Sequence, residues 1–452
     1  MTSDDTRTRR RYLKLTGLAG IGALAGCAGG GTGGGGSTPT ETATEGGGMT
    51  TTTTSGDSMS GGGSGGEPVP MGTILPITGA LSAYGSGMQK SANLAVEHVN
   101  AGGGPLGREI TVFNKNSQTQ PSKALQQYST LVNENNIIGF VGAASSGVSV
   151  PLAQRVHADK VMQVSNASTT PALAEIGYGD DGEPPKYFAR TAPNDGQQGI
   201  VMGQILNQDK YIGADKAAFL YVDNPYGEGL AKKARAAFDG ETTAMVGYSK
   251  KTTDYSSTLD KVFADNPDGV GFVGYPGNGK TIFKQWSEGG YGGQWALSEG
   301  INSPELFKEM SSVFSDMYVA SPDPESTMGS QRFKEAIGDA NTLFAAHAYD
   351  AMFLQALAMH KAGEASGEAI AKNIRAVSRP NDADVTVTVD EFETAKQALD
   401  DGKTINYEGA SSPVDLNPSL EPLNRFAILQ IGDDGSTTTR EQIPRSFFEG
   451  KL

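Results

Sequence analysis

The residues with the most chemical promise lie in Gly142–Pro151, GAASSGVSVP. An apolar run, Ile137–Val141, leads into this stretch as a buried strand, and Val148–Val156 behind it reads as the first turns of a helix. A strand that ends in a glycine and two hydroxyls just before a helix leaves several N–H groups without intrahelical acceptors. Those amides and the Ser145 and Ser146 hydroxyls together suit a small anion such as a carboxylate. The same letters also spell an ordinary serine N-cap with no ligand. A binding site would need a second wall and a counter-charge elsewhere in the chain.

The elements around this stretch alternate. Met71–Ile77 reads as a strand that breaks at Thr78-Gly79, and Gly87–Asn100 as a helix with Leu94, Ala95 and Val99 on one face. Glu109–Asn114 and Pro121–Asn133 repeat the strand and helix. Further strands are expected at Val161–Ser165, Tyr187–Arg190, Lys216–Val222, Ala244–Tyr248 and Gly269–Gly274. Between them fall helices at Pro171–Ile176, Gln197–Asp209, Glu228–Phe238, Ser256–Ala264 and Thr281–Glu288. This alternation predicts an α/β fold with two doubly wound parallel sheets. Ligands of such sheets bind beyond the carboxyl ends of the strands, where Ser145–Gly147 would sit. Later, Ala345–Ala362 is a long helix whose Ala346, Tyr349, Phe353, Leu357 and Ala358 form a core stripe. A helix at Ile370–Val377, an added excursion at Asp382–Asp401 and a late strand at Arg425–Gly432 complete the pattern.

A chain of 452 residues is too long for one compact core and long enough for two lobes. It has 36 Lys+Arg against 51 Asp+Glu, a formal charge of -15, which argues against a nucleic-acid partner. The same excess suits solubility where salt screens repulsion, so a halophilic setting is expected. Residues 1–27 read as an export signal: Thr8–Lys14 looks like a twin-arginine motif, and Leu15–Ala25 is weakly apolar and too short to span a bilayer. Leu24-Ala25-Gly26-Cys27 resembles a lipobox, so Cys27 is the expected lipid attachment site. Because Cys27 is the single cysteine, neither an intrachain disulfide nor a cysteine metal cluster can form. Residues 28–66, almost all Gly, Thr and Ser, read as a flexible tether.

Three motif matches are set aside on context. Gly62–Gly66 spells GxSxG, but no strand or helix can form around it. Gly102–Gly107 spells GxGxxG, but it follows a helix and precedes a strand, the reverse of a dinucleotide site. Gly274–Thr281 spells GxxxxGK(S/T) after a strand and before a helix, as a phosphate loop requires. The acid that could hold its magnesium, Asp223, precedes it in the chain, and an exported lipoprotein meets almost no ATP. It reads instead as a turn whose Tyr275 faces a cleft.

Taken in order, the landmarks resemble the substrate-binding lipoproteins of ABC importers, of the leucine/isoleucine/valine-binding type. They are Pro76–Gly79 with Tyr84-Gly85, Asn100–Gly103 with Leu106–Arg108, Gly142–Gly147 and Ala167–Pro171. Arg190–Pro193, Asp223–Gly227, Gly274–Pro276 and Ser298–Gly300 follow, so the likeness runs over nearly all of Met71–Leu452. The resemblance implies a type I periplasmic-binding-protein fold: two lobes closing on an amino acid, with three crossings between them. These are placed near Arg190-Thr191, near Ala320-Ser321 and within Gly409–Pro413. Lobe 1 would be 67–190 plus 321–410, and lobe 2 would be 191–320 plus 411–452. The resemblance further implies that Ser145 and the backbone of Ala167 hold the ligand carboxylate, while Thr169 and Glu299 hold its ammonium. Tyr226 and Tyr275 would close from the second lobe, Tyr84 would line the side-chain end, and Ser146 and Ser168 are counted with the ligand loops.

The residue types agree with that assignment. A free amino acid is a dipole, and it needs donors facing a carboxylate across a cleft. Glu299 would supply a charge-assisted bond worth roughly 1.5–3 kcal/mol, and each tyrosine a flat apolar body with one hydroxyl. Read without the resemblance, Glu299 is a solvated loop charge and the tyrosines are core packing. Asn166-Ala167-Ser168 is a glycosylation sequon on the ligand loop, so no occupancy is expected there. Two departures stand out: the first-lobe cysteine pair of some relatives is missing, so stability must come from packing alone, and Ser298 with the small Ala143-Ala144 pair leaves side-chain specificity open. The expected protein is thus not an enzyme and needs no cofactor or metal. It would sit lipid-anchored on the outer face of the membrane, capture a small neutral or branched-chain amino acid, and deliver it to a permease. The alternative is a ligand-sensing receptor for an amide or another small polar solute. A serine hydrolase is disfavoured because none of His98, His157, His347 and His360 sits at a strand end beside an acid.

Overall fold

The computed structural model describes residues 66–179, 182–323, 327–379 and 382–451. The signal, Cys27 and nearly all of the tether lie outside these residues. The first sheet uses β1 (Val69–Leu75), β2 (Ile110–Asn116), β3 (Gly139–Gly142), β4 (Met162–Ser165) and β5 (Phe188–Arg190), in the spatial order β2-β1-β3-β4-β5. All its pairings are parallel. Such a sheet needs cover on both faces, and its strands accordingly read as buried apolar runs. The helix Ala345–Ala362 supplies part of that cover, and the expected apolar stripe is buried along its whole length.

The second sheet is built from β6 (Lys216–Val222), β7 (Glu241–Tyr248), β8 (Gly269–Val273), β9 (Gln294–Ser298) and β10 (Tyr318–Pro322). A small parallel pair follows, β11 (Val385–Val387) with β12 (Ile405–Tyr407). The second sheet then ends with β13 (Phe426–Ile431) and β14 (Thr437–Ile443), giving the order β14-β13-β10-β9-β8-β6-β7. The last two strands run antiparallel, so this sheet is mixed rather than purely parallel. A short hairpin can return a chain only antiparallel, and Gly432–Ser436 is too short for a crossover helix. β14 shows mostly exposed polar side chains, which leaves no apolar period to find in the sequence.

The third passage between sheets differs from expectation. Residues 411–421 were placed with the second lobe, but they lie against the first. Asp350 accepts from Ser411 N at 2.9 Å, Arg375 Nε donates to Leu416 O at 3.1 Å, and Lys186 Nζ donates to Ser419 O at 2.7 Å. Bonds to the second lobe appear along the strap, from Arg445 Nη1 to Asp415 Oδ2 at 2.9 Å and from Asn194 Nδ2 to Glu421 Oε1 at 2.9 Å, and then at Asn424, whose carbonyl accepts from Gln197 Nε2 at 2.9 Å. The chain therefore completes its crossing near 421–425, beyond Gly409–Pro413. This strap has no periodicity of its own, because side chains from elsewhere hold it.

Candidate functional site

β3 ends in Gly142 at φ +128, where an added Cβ would come 2.4 Å from Ile74 O. Only glycine lets the chain turn there. The helix Ser146–Ala153 follows, with Ser145 as its extended N-cap. Ser145 makes no side-chain cap bond, which rules out the ordinary N-cap reading of its hydroxyl. Its Oγ lies instead 3.1 Å from the Tyr275 hydroxyl, which belongs to the second lobe. Ser146 Oγ accepts from the amides of Thr169 at 3.2 Å and Thr170 at 3.3 Å, tying one ligand loop to the other.

The second wall is charged and aromatic. Tyr226 donates to Glu299 Oε2 at 3.0 Å and lies 2.9 Å from Ser298 Oγ. Asn224 Nδ2 donates to the Tyr275 hydroxyl at 3.2 Å, while its Oδ1 caps the helix Pro225–Ala237. The Tyr226 and Tyr275 rings stack with centroids 5.5 Å apart and planes 11° from parallel. Tyr84, on the helix Ser82–Ala101, reaches across to donate to Gly300 O at 3.2 Å. Burial pushes the Tyr275 phenol up to about 12. Burial and then the Glu299 charge push Tyr84 and Tyr226 further, so all three stay protonated donors.

These groups enclose a cavity of about 310 Å³ between the two sheets. Six of the nine expected ligand residues line it: Tyr84, Ser146, Ala167, Tyr226, Tyr275 and Glu299. Leu81, Met88, Leu343 and Phe344 give it an apolar end. The cavity is small and tightly closed, so it suits at most a small molecule. Of the remaining three, Ser145 touches the cavity's Tyr275, and Thr169 keeps a buried Oγ1 without a partner. Ser168 is a correction. Its hydroxyl lies 3.0 Å from Ala143 O, 3.1 Å from Ala144 O and 2.8 Å from Ser149 Oγ, so it is engaged inside the first lobe.

Sequence reasoning missed Asp195. It opens the helix Asp195–Asn207, is fully buried, and neither carboxylate oxygen has a hydrogen-bond partner. Burial first, then the Glu299 charge, holds its carboxyl well above the usual range, although the Thr169 hydroxyl and Arg190 act against this. Burial likewise raises Glu299 to about 7, against hydrogen bonds from Gln198, Tyr226 and the backbone of Glu299 and Gly300. An acid in a helix's first turn normally just complements the dipole, so Asp195 carried no special signal. Glu299 in the cavity wall, with the buried Asp195 behind it, makes this side the cation end, and the hydroxyls and amides of the first-lobe loops face it.

The decoys fall away on geometry. Gly277–Thr281 lies within the helix Pro276–Gly289 rather than wrapping a phosphate, and Lys280 pairs with the exposed Glu309. His157 packs edge-on against Tyr187 at 5.2 Å and gives Ser146 no base. The sequon Asn166 is buried, with Nδ2 donating to Phe344 O at 3.3 Å.

Fold and cavity together define a two-lobed α/β protein with a small cavity enclosed between its sheets. The chain belongs to the periplasmic binding protein family, whose model matches residues 68–401. It is 35% identical over 387 residues to the chemotactic signal transduction system substrate-binding protein BasB of Halobacterium salinarum, covering 85% of this chain and 91% of that protein. It is 24% identical over 312 residues to the leucine-, isoleucine-, valine-, threonine- and alanine-binding protein of Pseudomonas aeruginosa, covering 67% of this chain and 80% of that one. Among solved structures, the leucine-binding protein LivK of Thermotoga maritima superposes with a TM-score of 0.69 at 21% identity, covering 83% of this chain and 99% of that one. LivJ of Streptococcus pneumoniae, solved with isoleucine, gives 0.67 at 21% identity with the same coverage. These two likenesses show the type I fold. The family consists of solute-binding proteins that act outside the cytoplasm, not enzymes.

Proposed function

We propose that this chain captures a small neutral or branched-chain amino acid in the interlobe cavity and presents the closed form to a membrane partner. The observation that carries this reading is the buried acid pair, Glu299 in the cavity wall and Asp195 near it, together with the unpartnered Thr169 hydroxyl, facing Ser145 and Ala167 of the first lobe. The acids would take the ammonium and the neutral donors the carboxylate, while Leu81, Met88, Leu343 and Phe344 would receive an aliphatic side chain. A zwitterion brings both charges and leaves the closed cavity no more charged than before. The lobes would be 67–190 with 321 to about 421, and 191–320 with the remainder. Cys27 would carry the lipid anchor and residues 28–66 would tether the lobes to the outer membrane face.

Two partners fit this scheme. The resemblance to leucine/isoleucine/valine binders favours the permease of an ABC importer. The 35% identity to a chemotactic substrate-binding protein favours a membrane transducer that reads the closed form. The binding reading is tested by a melting-temperature screen against the common amino acids and their amides in molar salt. A ligand at 100 times its dissociation constant adds about 2.7 kcal/mol. The reading fails if no aliphatic amino acid raises the melting temperature. Crosslinking in membranes, with and without ligand, separates permease from transducer.

A further inference from the structure

Glu421 lies on the strap between the lobes, is buried, and does not line the cavity. Its Oε2 accepts from Arg190 Nε at 2.9 Å and also from Arg190 Nη2, and its Oε1 accepts from Asn194 Nδ2 at 2.9 Å. Each donor has a second attachment. Arg190 Nη1 donates to Ser168 O at 3.1 Å and Thr170 O at 2.9 Å, bracketing Thr169. Asn194 Oδ1 accepts from Gly196 N at 2.8 Å and so caps the helix that starts at Asp195. Asp195 N closes the circuit by donating to Thr169 O at 2.9 Å.

A buried ion pair is a weak source of net stability, because desolvation offsets much of the attraction. What the planar guanidinium fork does provide is direction. We propose that Glu421 is a positioning residue for ligand binding. Through Arg190 it sets the Thr169 loop, and through Asn194 it sets the helix start that carries Asp195. One carboxylate on the third crossing thereby keeps both parts of the cation end in register. The contrast is Asp350, a second buried acid that binds the same strap from the helix Ala345–Ala362. It accepts from Tyr407 Oη and Ala410 N at 2.7 Å, from Ser411 N at 2.9 Å and from Ser411 Oγ at 2.6 Å, and none of these donors reaches a ligand loop.

The inference rests on the amino-acid reading only for its probe, L-leucine. Leucine affinity is measured by calorimetry, and amide exchange of the empty protein by mass spectrometry, for wild type, Glu421→Gln, Asn194→Ala and Asp350→Asn. Glu421→Gln is expected to weaken leucine at least tenfold and to speed exchange in peptides 165–171 and 194–200. Asn194→Ala should confine the faster exchange to 194–200. Asp350→Asn should lower the melting temperature while both peptides and the affinity stay as in wild type. Wild-type exchange and affinity in Glu421→Gln overturn the proposal, and so do equal losses in Asp350→Asn, which would mean general softening. If Glu421→Gln does not fold, Asn194→Ala decides, and undisturbed exchange at 194–200 overturns the proposal. If leucine binds not even to wild type, the amino-acid reading falls and the exchange pattern alone decides the positioning role.

Discussion

The two walls of the cavity are built on opposite plans. The first-lobe wall is neutral, and its parts are locked by bonds inside that lobe. Ser146 holds the Thr169 and Thr170 amides, Ser168 binds the Ala143 and Ala144 carbonyls, and Arg190 grips the loop from behind. The second-lobe wall is charged and aromatic, and its groups bond mostly to one another, as Tyr226 does to Glu299 and Asn224 to Tyr275. Few bonds cross the cleft: the Tyr84 and Ser145–Tyr275 contacts do, with Lys250 Nζ at 3.5 Å from Thr119 O. The difference teaches a division of labour. Preorganised neutral donors lose little on ligand binding because folding has already oriented them. The charged wall engages only when the lobes are together, so it can couple ligand to closure.

The sharpest break of this contrast is removal of the charge. Glu299→Gln is expected to weaken amino-acid binding by about 1.5–3 kcal/mol while leaving the fold intact. Calorimetry showing unchanged affinity would remove Glu299 from the cation end. Asp195→Asn should cost a similar amount. Wild-type affinity in Asp195→Asn would remove Asp195 from the cation end.

The pH dependence comes next, and its sign follows from burial. Glu299 titrates at about 7 and Asp350 at about 6 in the folded protein, both raised above the ordinary carboxylate value. Between that ordinary value and these, the folded chain holds protons that the unfolded chain has lost. The empty protein should therefore lose stability as pH rises from about 5 to about 7. An ammonium ligand favours the ionised acids, so affinity should rise over the same window. Thermal melts with and without ligand across this range check both slopes, and parallel slopes would contradict the linkage.

Tyr275→Phe removes the hydroxyl shared by Ser145 and Asn224, and should cost about 0.5–1.5 kcal/mol of affinity with little change in the melting temperature of the empty protein. The smallest effect on binding is expected from Ser168→Ala. It should change affinity less than twofold, a factor worth about 0.4 kcal/mol, yet lower the melting temperature, because its bonds lie within the first lobe. A larger loss of affinity than in Tyr275→Phe would return Ser168 to the ligand set. Away from the cavity, Cys27→Ser should release the protein into the medium, and membrane retention would end the lipid-anchor proposal.

Much of this molecule was legible in its residues. Strand and helix spacing from Met71 to Gly274 predicted the alternating order, because period and turn chemistry are local properties. Ser145 could be singled out because it stands between a strand end and a helix start, where an α/β sheet presents ligands; the resemblance to leucine/isoleucine/valine-binding proteins assigns Tyr226, Tyr275 and Glu299. Three things could not be read this way. β14 shows exposed polar side chains to solvent, so it has no apolar pattern. The strap 411–421 is held by Asp350, Arg375, Lys186 and Arg190 from distant positions. Ser168 and Asp195 exchanged roles: the loop serine turned inward, and the helix-start acid turned out to be buried without a partner.

The chain by itself determined the class of fold, the acidic surface and the chemical types available at each strand end, since composition and spacing need no partner to be expressed. Only the tertiary structure decided which hydroxyls stay free for a ligand and which acid loses its water. Hydrogen-bond saturation and desolvation depend on what distant segments bring to the same point, and no local pattern encodes that.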